Sequence, residues 1–352
     1  MSVALARHPP QPRSLHTQDS HIHPVPAVCP DLHATFKPLI AALARLPGSC
    51  QPRGRGWSVA AASILEASAA KPGNVSPSAE FSDLSHAELV AAGLAVAAAM
   101  ERATEVPLGR TILDAVTAAR TVTRSNANLG IVLAIAPMAA AADASADPAA
   151  IAAVLARLTP ADAVDVWQAI RLAQPGGMGH SGQHDLAGPP PDDLMAAMRL
   201  AAPHDAIARL WTEGYESLRG GLVADVRVAV CRGLTLHDAI VDAFLAQLAR
   251  EPDSLIARKH GLPVALEVSR HAAVARAAPE TIPAFDRFLR SPRRLNPGTT
   301  ADLTAAALYI LIREGSLLSD ALTAWSFSPL GDIPRSDNRE QSDPTASVRN
   351  HE

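Results

Sequence analysis

The segment that most constrains this fold is Leu129–Ala142, which is apolar on every side of a helix. Since it is too short to cross a bilayer, it predicts a helix buried in the middle of a globular core. A helix of this kind needs other helices around it, and Pro137 is expected to kink it.

The sequence around this segment predicts further helices. Alanine, the best helix former, dominates the apolar residues, while aromatic residues make up only 3% of the chain. No stretch alternates apolar and polar residues as a half-buried strand does. The further predicted helices are Trp57–Ala70, Ser85–Arg102, Leu108–Val122, Pro148–Leu158, Pro160–Leu172, Asp192–Ala201, Asp205–Arg219, Thr235–Ala249, Gly261–Ala277 and Thr299–Glu314. The fold class is therefore predicted to be all-α, a multi-helix bundle around a buried alanine-rich central helix in a single domain.

Composition divides the 352-residue chain into three parts. Residues 1–56 form a Pro/His-rich extension and linker that is expected to be largely disordered, residues 57–327 form the helical domain, and residues 328–352 form a disordered polar tail. The N-terminus lacks the apolar centre of a signal peptide, which favours a cytoplasmic protein. Three cysteines without CxxC spacing predict no disulfide framework.

The net charge of −4 argues against a non-specific nucleic-acid binder, because such proteins present a basic face. No apolar run is long enough for a membrane span. The chemistry is therefore sought in the breaks between helices, where loops on a rigid scaffold carry function.

Two breaks near the start of the domain combine polar residues with turns. Glu66 lies on the last turns of a helix that Lys71-Pro72-Gly73-Asn74 ends, and this group suits phosphate and a metal, or else forms a helix cap with a surface ion pair. Asn126 and Asn128 precede the buried helix at Gly130. Free N–H groups there attract anions, although one asparagine is also an ordinary cap.

Three later breaks carry further candidates. The loop Gln174–Asp185 matches G-x-G-x-x-G without a preceding strand, so it favours a flexible loop near a ligand over a dinucleotide fold or a zinc site. Asp253 is predicted to cap a short helix that ends in Arg258-Lys259-His260, whose cations either complement the helix dipole or bind phosphates. Asn296-Pro297-Gly298 forms a turn before a helix whose first turn holds Thr300 and Asp302.

Taken in order, these segments resemble the triphosphoribosyl-dephospho-CoA synthase family. Its E-x4-KPGNV segment is matched by Glu66 and Lys71–Val75, and its TxxNTxLG-type helix start is similar to Thr123–Gly130. A D-[ST]-x-x-x-R-x-x-G element matches Asp253–Gly261, and an [NS]-P-G-x-[ST]-A-D-L signature matches Asn296–Leu303. The likeness covers roughly residues 57–315 and is greatest to a branch found in archaea and in organisms with methanopterin-linked one-carbon metabolism.

The resemblance implies a transferase that moves the triphosphoribosyl group of ATP to a ribose hydroxyl of dephospho-CoA, or of a related acceptor, with release of adenine. It also implies Mg²⁺ on the triphosphate. The candidate catalytic acids are Glu66, Asp253 and Asp302, and the candidate magnesium ligands are Glu66, Asp83 and Asp205. The candidate nucleotide-binding residues are Lys71, Pro72, Gly73, Asn74, Asn126, Asn128, Gly130, Arg258, Lys259, Asn296, Gly298 and Thr300.

Two other functions stay open at this point. A nucleotide or N-glycoside hydrolase on the same scaffold would need no new residue type, because water would replace the acceptor hydroxyl. A non-catalytic helical nucleotide-binding protein, linked to methanopterin-type metabolism, would use the same loop residues as helix caps. The partners are expected to be small molecules, with no nucleic acid and no membrane, and the alanine-rich helices make a homodimer plausible.

Overall fold

Alanine and branched aliphatic residues at helical spacing form helices throughout the part of the chain that the computed structural model describes, residues 54–123, 125, 127–142, 147–174 and 188–315. The first half of the domain contains α1 Arg55–Ser68, α2 His86–Ala95, α3 Ala97–Glu101, α4 Leu108–Val122, α5 Leu129–Ala140, α6 Pro148–Leu155, α7 Pro160–Ala173 and α8 Leu194–Ala201. The second half contains α9 Ala206–Glu213, α10 Glu216–Leu218, a π-helical turn Arg219–Val223, α11 Ala224–Cys231, α12 Leu236–Arg250, α13 Ser254–His260, α14 Leu262–Ala277, a 3₁₀ turn Pro279–Thr281, α15 Ile282–Arg290 and α16 Gly298–Arg313.

The core is built on α1, α5 and α16, which pack against one another. The helix α5 is buried along almost its whole length, as predicted, and α16 is buried from Thr299 to Ile312 apart from Asp302. The prediction of an all-α domain is confirmed, because the described residues contain only helices, turns and two isolated bridges. The centre, however, consists of several buried helices rather than one.

Local sequence signals place most helix starts correctly. The predicted capping box is present, since the Ser85 hydroxyl accepts from the Glu88 N–H at 3.2 Å and the Glu88 carboxylate accepts from the Ser85 N–H at 2.9 Å. The predicted helix Asp205–Arg219 is wrong in extent. It stops at Glu213 because Gly214 has φ +93° and ends the turn.

The helix α15 was not predicted, although it shapes the site. Its sequence, IPAFDRFLR, is short and its charged residues interrupt the apolar pattern. Phe285 and Leu289 are buried in a second apolar cluster with α12, α13 and α14. This cluster supports the turn that follows α1.

Three sequence expectations concern the ends of the chain and its setting. The predicted extension, apart from residues 54–56, and the predicted tail lie outside the described residues, as does the end of the predicted domain from residue 316 to 327. Cys231 is disulfide-bonded, which the cysteine spacing did not predict. Within the described residues no helix is long and apolar enough to cross a bilayer.

Candidate active site

Several helix ends meet around one cavity of about 870 Å³, a size typical of small-molecule sites. The end of α1 faces the starts of α5, α9 and α16, and α13 closes the side between them. The polar lining residues are Glu66, Asn74, His204, Asp205, Arg258, Asn296, Thr299 and Asp302, with Gly130 and Gly298 beside them. The opposite wall is apolar and comes mainly from α5, α7 and α8, with Trp167 and Met198 among its side chains.

A buried ion pair orients Glu66 on this wall. The Lys71 ammonium lies 2.9 Å from the Glu66 carboxylate, and the two side chains are 0% and 8% exposed. The same ammonium donates to the backbone carbonyls of Glu66 and Ala69. Because an ammonium has three N–H groups, these contacts use all the donors of Lys71, and the side chain holds Glu66 in place.

The Pro72-Gly73-Asn74 turn carries the chain from α1 to the rim of the cavity. Gly73 has φ +75°, and a Cβ there would lie 2.8 Å from Leu289 of α15, so the turn requires glycine. Its N–H donates to Asp286 at 2.8 Å. Pro72 and Gly73 therefore shape the turn, and Asn74 is the residue of the three that lines the cavity.

A glycine on α5 lets the carboxylate of Asp302 approach the start of that helix. A Cβ at Gly130 would lie 1.9 Å from Asp302 Oδ2, so α5 and α16 meet here without a side chain between them. Within the described residues Asp302 has no hydrogen bond and no ion pair. Burial raises the pKa of Asp302 well above its ordinary range, the Glu66 charge raises this pKa further, and Arg258 opposes the rise. The cavity thus contains an unpaired carboxyl beside a paired carboxylate.

Asp205 and Arg258 form a second polar pair on the wall. Asp205 caps α9 by accepting from the Ile207 and Ala208 N–H groups at 2.9 and 3.1 Å, and its other oxygen lies 3.2 Å from Arg258 Nη1. Asp205 therefore caps a helix and also lines the cavity.

Three residues in or near the cavity wall have unsatisfied polar atoms. Arg258 Nε, Asn296 Oδ1 and Asn128 Nδ2 are buried without a hydrogen-bond partner in the described residues. Buried polar groups are nearly always paired, so such atoms indicate a ligand or solvent that completes them. Asn128 sits at the start of α5 but is not among the cavity-lining residues, and Asn126 lies outside the described residues.

Asp253 lies behind the cavity wall and joins two helix starts. It accepts from the Ile256 N–H at 3.0 Å, the Thr300 N–H at 2.7 Å and the Thr300 hydroxyl at 2.8 Å. Burial raises the pKa of Asp253, and these hydrogen bonds partly oppose the rise. Asp253 and Thr300 therefore link the starts of α13 and α16.

The three predicted magnesium ligands do not come together. Glu66 and Asp205 line the cavity, whereas Asp83 lies at the rim, where its carboxylate is paired with Arg294. No group of three or more His, Cys, Asp or Glu side chains with metal-binding geometry occurs in the described residues. Mg²⁺, however, is commonly held by one or two carboxylates together with substrate phosphates, and the cavity carboxylates fit that pattern.

Sequence reasoning missed several residues around the site. Asp286 and Arg290 hold the Gly73-Asn74 turn from α15, and Arg294 anchors Asp83. His204, which directly precedes the helix cap Asp205, also lines the cavity, and the sequence analysis did not select it. The sequence carries a signal for Arg294, because Arg293 and Arg294 stand shortly before the Asn296-Pro297-Gly298 turn and paired arginines suit an anion.

Comparisons with known proteins indicate the family of this chain. The family model for ATP:dephospho-CoA triphosphoribosyl transferase matches residues 54–320, about three quarters of the chain. A crystal structure from Archaeoglobus fulgidus, described as a candidate triphosphoribosyl-dephospho-CoA synthase, is similar in fold with a TM-score of 0.51 and 24% identity over 65% of this chain and 98% of that one. A search of curated protein sequences finds no match. The family match covers every helix that builds the cavity, and the chain belongs to the ATP:dephospho-CoA triphosphoribosyl transferase family.

Proposed function

We propose that the cavity between α1, α5, α9, α13 and α16 is where this enzyme transfers the triphosphoribosyl group of ATP to dephospho-CoA. A ribose hydroxyl oxygen of the acceptor forms a bond to C1 of the ATP ribose, and the bond from C1 to adenine breaks. Adenine leaves with the electron pair of that bond and takes up a proton, while the acceptor hydroxyl loses one. The triphosphate remains on the transferred sugar.

The observation that carries this proposal is the pair of carboxyl groups, Glu66 and Asp302, on one small cavity. Glycosyl transfer builds positive charge on the sugar ring, and a nearby carboxylate stabilises that charge or accepts the proton of the attacking hydroxyl. Lys71 keeps Glu66 in place. Asp302 has no competing partner in the described residues, so its carboxyl is available to a substrate.

The remaining polar residues suit the triphosphate. Arg258 lines the cavity and its buried Nε has no partner in the described residues, and Asn74 and Asn296 add amide groups. Mg²⁺ would be held by Glu66 and Asp205 together with phosphate oxygens, and it would neutralise the charge of the triphosphate. The apolar wall around Trp167 and Met198 suits the flat adenine ring.

Free adenine is the product that tests the proposal. Purified protein would be incubated with ATP, Mg²⁺ and dephospho-CoA, and adenine followed by chromatography. We expect adenine only when both substrates are present, and a loss of rate of about 100-fold or more in E66Q and D302N. E105Q is the matched control, because Glu105 is an exposed acid away from the cavity.

Other results would reject the proposal in defined ways. Adenine formed without dephospho-CoA would make the protein a hydrolase, and equal rates in E66Q, D302N and E105Q would place the chemistry elsewhere. Removal of Mg²⁺ with EDTA is expected to stop the reaction, and restored Mg²⁺ to recover it. A cytoplasmic location and a homodimer stay predictions, which cell fractionation and analytical ultracentrifugation would test.

A further inference from the structure

The charge of the cavity wall limits what it can bind. The transfer brings together two polyphosphates, the triphosphate of ATP and the diphosphate of the acceptor. Among the described lining residues are three carboxyl groups, on Glu66, Asp205 and Asp302, and one guanidinium, that of Arg258. Lys71 is not available, since its three N–H groups are already used. With Mg²⁺ assigned to the triphosphate, the described wall has only the Arg258 guanidinium for the second polyphosphate, which favours further cations at its edge.

Two such cations lie at the rim, next to the polar end of the cavity. Lys259 directly follows the cavity residue Arg258 and is exposed. Its pKa is lowered by partial desolvation and then by the positive charges of Arg258 and Arg294, while Asp83 and Asp253 oppose the fall. Arg294 comes from the loop before α16, two residues ahead of the cavity residue Asn296.

The guanidinium of Arg294 is held in place although it is 45% exposed. Arg294 has φ +52°, a region that residues other than glycine rarely adopt. Its Nη1 lies 3.0 Å from Asp83 Oδ2, its Nη2 donates to the other carboxylate oxygen, and its carbon lies 4.2 Å from the centre of the Phe81 ring. An exposed ion pair contributes little net attraction, so Asp83 orients Arg294 without removing it from reach of a phosphate.

The same two segments each contribute a residue to the cavity lining, Arg258 and Asn296. Arg258 Nε and Asn296 Oδ1 are buried without partners in the described residues. Each segment thus offers one cavity-lining polar residue and, within two residues, one rim cation. In dephospho-CoA the diphosphate is attached to the same ribose whose hydroxyl attacks. A ribose placed in the cavity therefore has its diphosphate within a few bonds of the rim.

We propose that Lys259 and Arg294 form an acceptor subsite, which binds the diphosphate of dephospho-CoA while the triphosphate of ATP lies inside the cavity. The subsite rests on the proposed function. It makes the acceptor an adenosine that carries a 5′-diphosphate, and it selects against acceptors without that group. Arg258 is shared between the two phosphate groups.

The test is the dependence of kinetics on each substrate in K259M, R294Q and a control variant, R293Q. Arg293 is an exposed arginine in the same loop, with no contact recorded in the described residues, so R293Q removes the same charge. For K259M and R294Q we expect KM for dephospho-CoA to rise about tenfold, which is the loss of one well-placed charge contact, and to rise more than KM for ATP. The change in R293Q should stay below about twofold.

A second acceptor separates diphosphate binding from general effects. With adenosine in place of dephospho-CoA, the loss of kcat/KM in K259M should be about twofold or less, against about tenfold with dephospho-CoA. Because Lys259 is exposed, K259M is expected to fold even if R294Q does not, and thermal unfolding checks both.

Three outcomes would overturn the subsite. One is a rise in KM for ATP alone, which would assign the rim cations to the triphosphate. Another is an equal loss with adenosine and dephospho-CoA, and the third is an equal loss in R293Q. Direct titration of dephospho-CoA by calorimetry separates this failure from that of the proposed function. Tight binding that K259M weakens supports the subsite even if no adenine is formed, and binding that K259M leaves as tight as in the wild type rejects it.

Discussion

Replacing Asp253 by alanine is the perturbation that the structure predicts most sharply. The substitution removes the acceptor of three hydrogen bonds, from the Ile256 N–H, the Thr300 N–H and the Thr300 hydroxyl, at 2.7 to 3.0 Å. All three donors lie at the starts of α13 and α16, and Asp253 itself is 2% exposed. Water cannot readily replace the carboxylate there.

The magnitude follows from these contacts. A buried donor left without an acceptor costs about 1–3 kcal/mol, and the three donors share one site, so their costs do not add fully. We therefore expect D253A to lower the free energy of unfolding by about 3–5 kcal/mol. For a domain of this size that corresponds to a fall in Tm of about 10 °C.

The assay is urea unfolding followed by circular dichroism, with D147A as the control. Asp147 also caps a helix, but it accepts a single recorded hydrogen bond, from the Ala150 N–H at 3.1 Å, at a partly exposed position. D147A should cost only about 1 kcal/mol. The rate of adenine release, measured on the folded fraction at low temperature, should fall far less in D253A than in D302N.

The reasoning is refuted if D253A unfolds within about 1 kcal/mol of the wild type. It is also refuted if D253A retains its stability and loses all activity. That second result would return Asp253 to the catalytic role that its sequence motif suggested.

Three further substitutions test the cavity. D302N is expected to keep or raise the free energy of unfolding, by about 1 kcal/mol. The folded-state pKa of Asp302 is raised above 3.8. The stability gained in D302N is therefore absent below pH 3.8 and grows as the pH rises towards the folded-state pKa. Urea unfolding of metal-free protein at several pH values would measure this dependence. K71M leaves the Glu66 carboxylate buried without its partner and should lower the free energy of unfolding by about 3–5 kcal/mol in the same assay. The double variant K71M/E66Q should lose less stability than the sum of the two single variants. G130A places a Cβ 1.9 Å from Asp302 Oδ2, while the control G220A meets no atom within 4 Å. We expect G130A to lower the unfolding free energy by about 1–3 kcal/mol and to reduce adenine release, and a G130A protein as active as G220A would contradict the close approach.

Local patterns were sufficient for most of the secondary structure. The helix Leu108–Val122 was predicted with the bounds that the structure has, and the capping box at Ser85 is present. These features depend on neighbours three or four residues apart, which a single sequence displays directly. The helix α15 was missed because the burial of Phe285 and Leu289 depends on contacts with α12, α13 and α14. A single sequence does not show these contacts.

The assignment of roles to the polar residues is where the sequence and the structure separate. Glu66, Asp253 and Asp302 all stand beside turns in the motifs that carry the family resemblance, and from the sequence they are equivalent acids. Their surroundings differ: Glu66 is paired with Lys71, Asp253 accepts three hydrogen bonds, and Asp302 has no partner in the described residues. Only contacts across the chain reveal this difference.

The sequence by itself therefore determined the helical class, most helix starts and the set of breaks at which the site forms. Helix propensity, capping and turns act over a few residues, so they can be read from the order of the amino acids. The tertiary structure decided which side chains share a cavity, which lie behind it and which lie at its rim. Those outcomes depend on distances between segments such as Gly130 and Asp302, which are far apart in the chain and meet because two buried helices pack without a side chain between them.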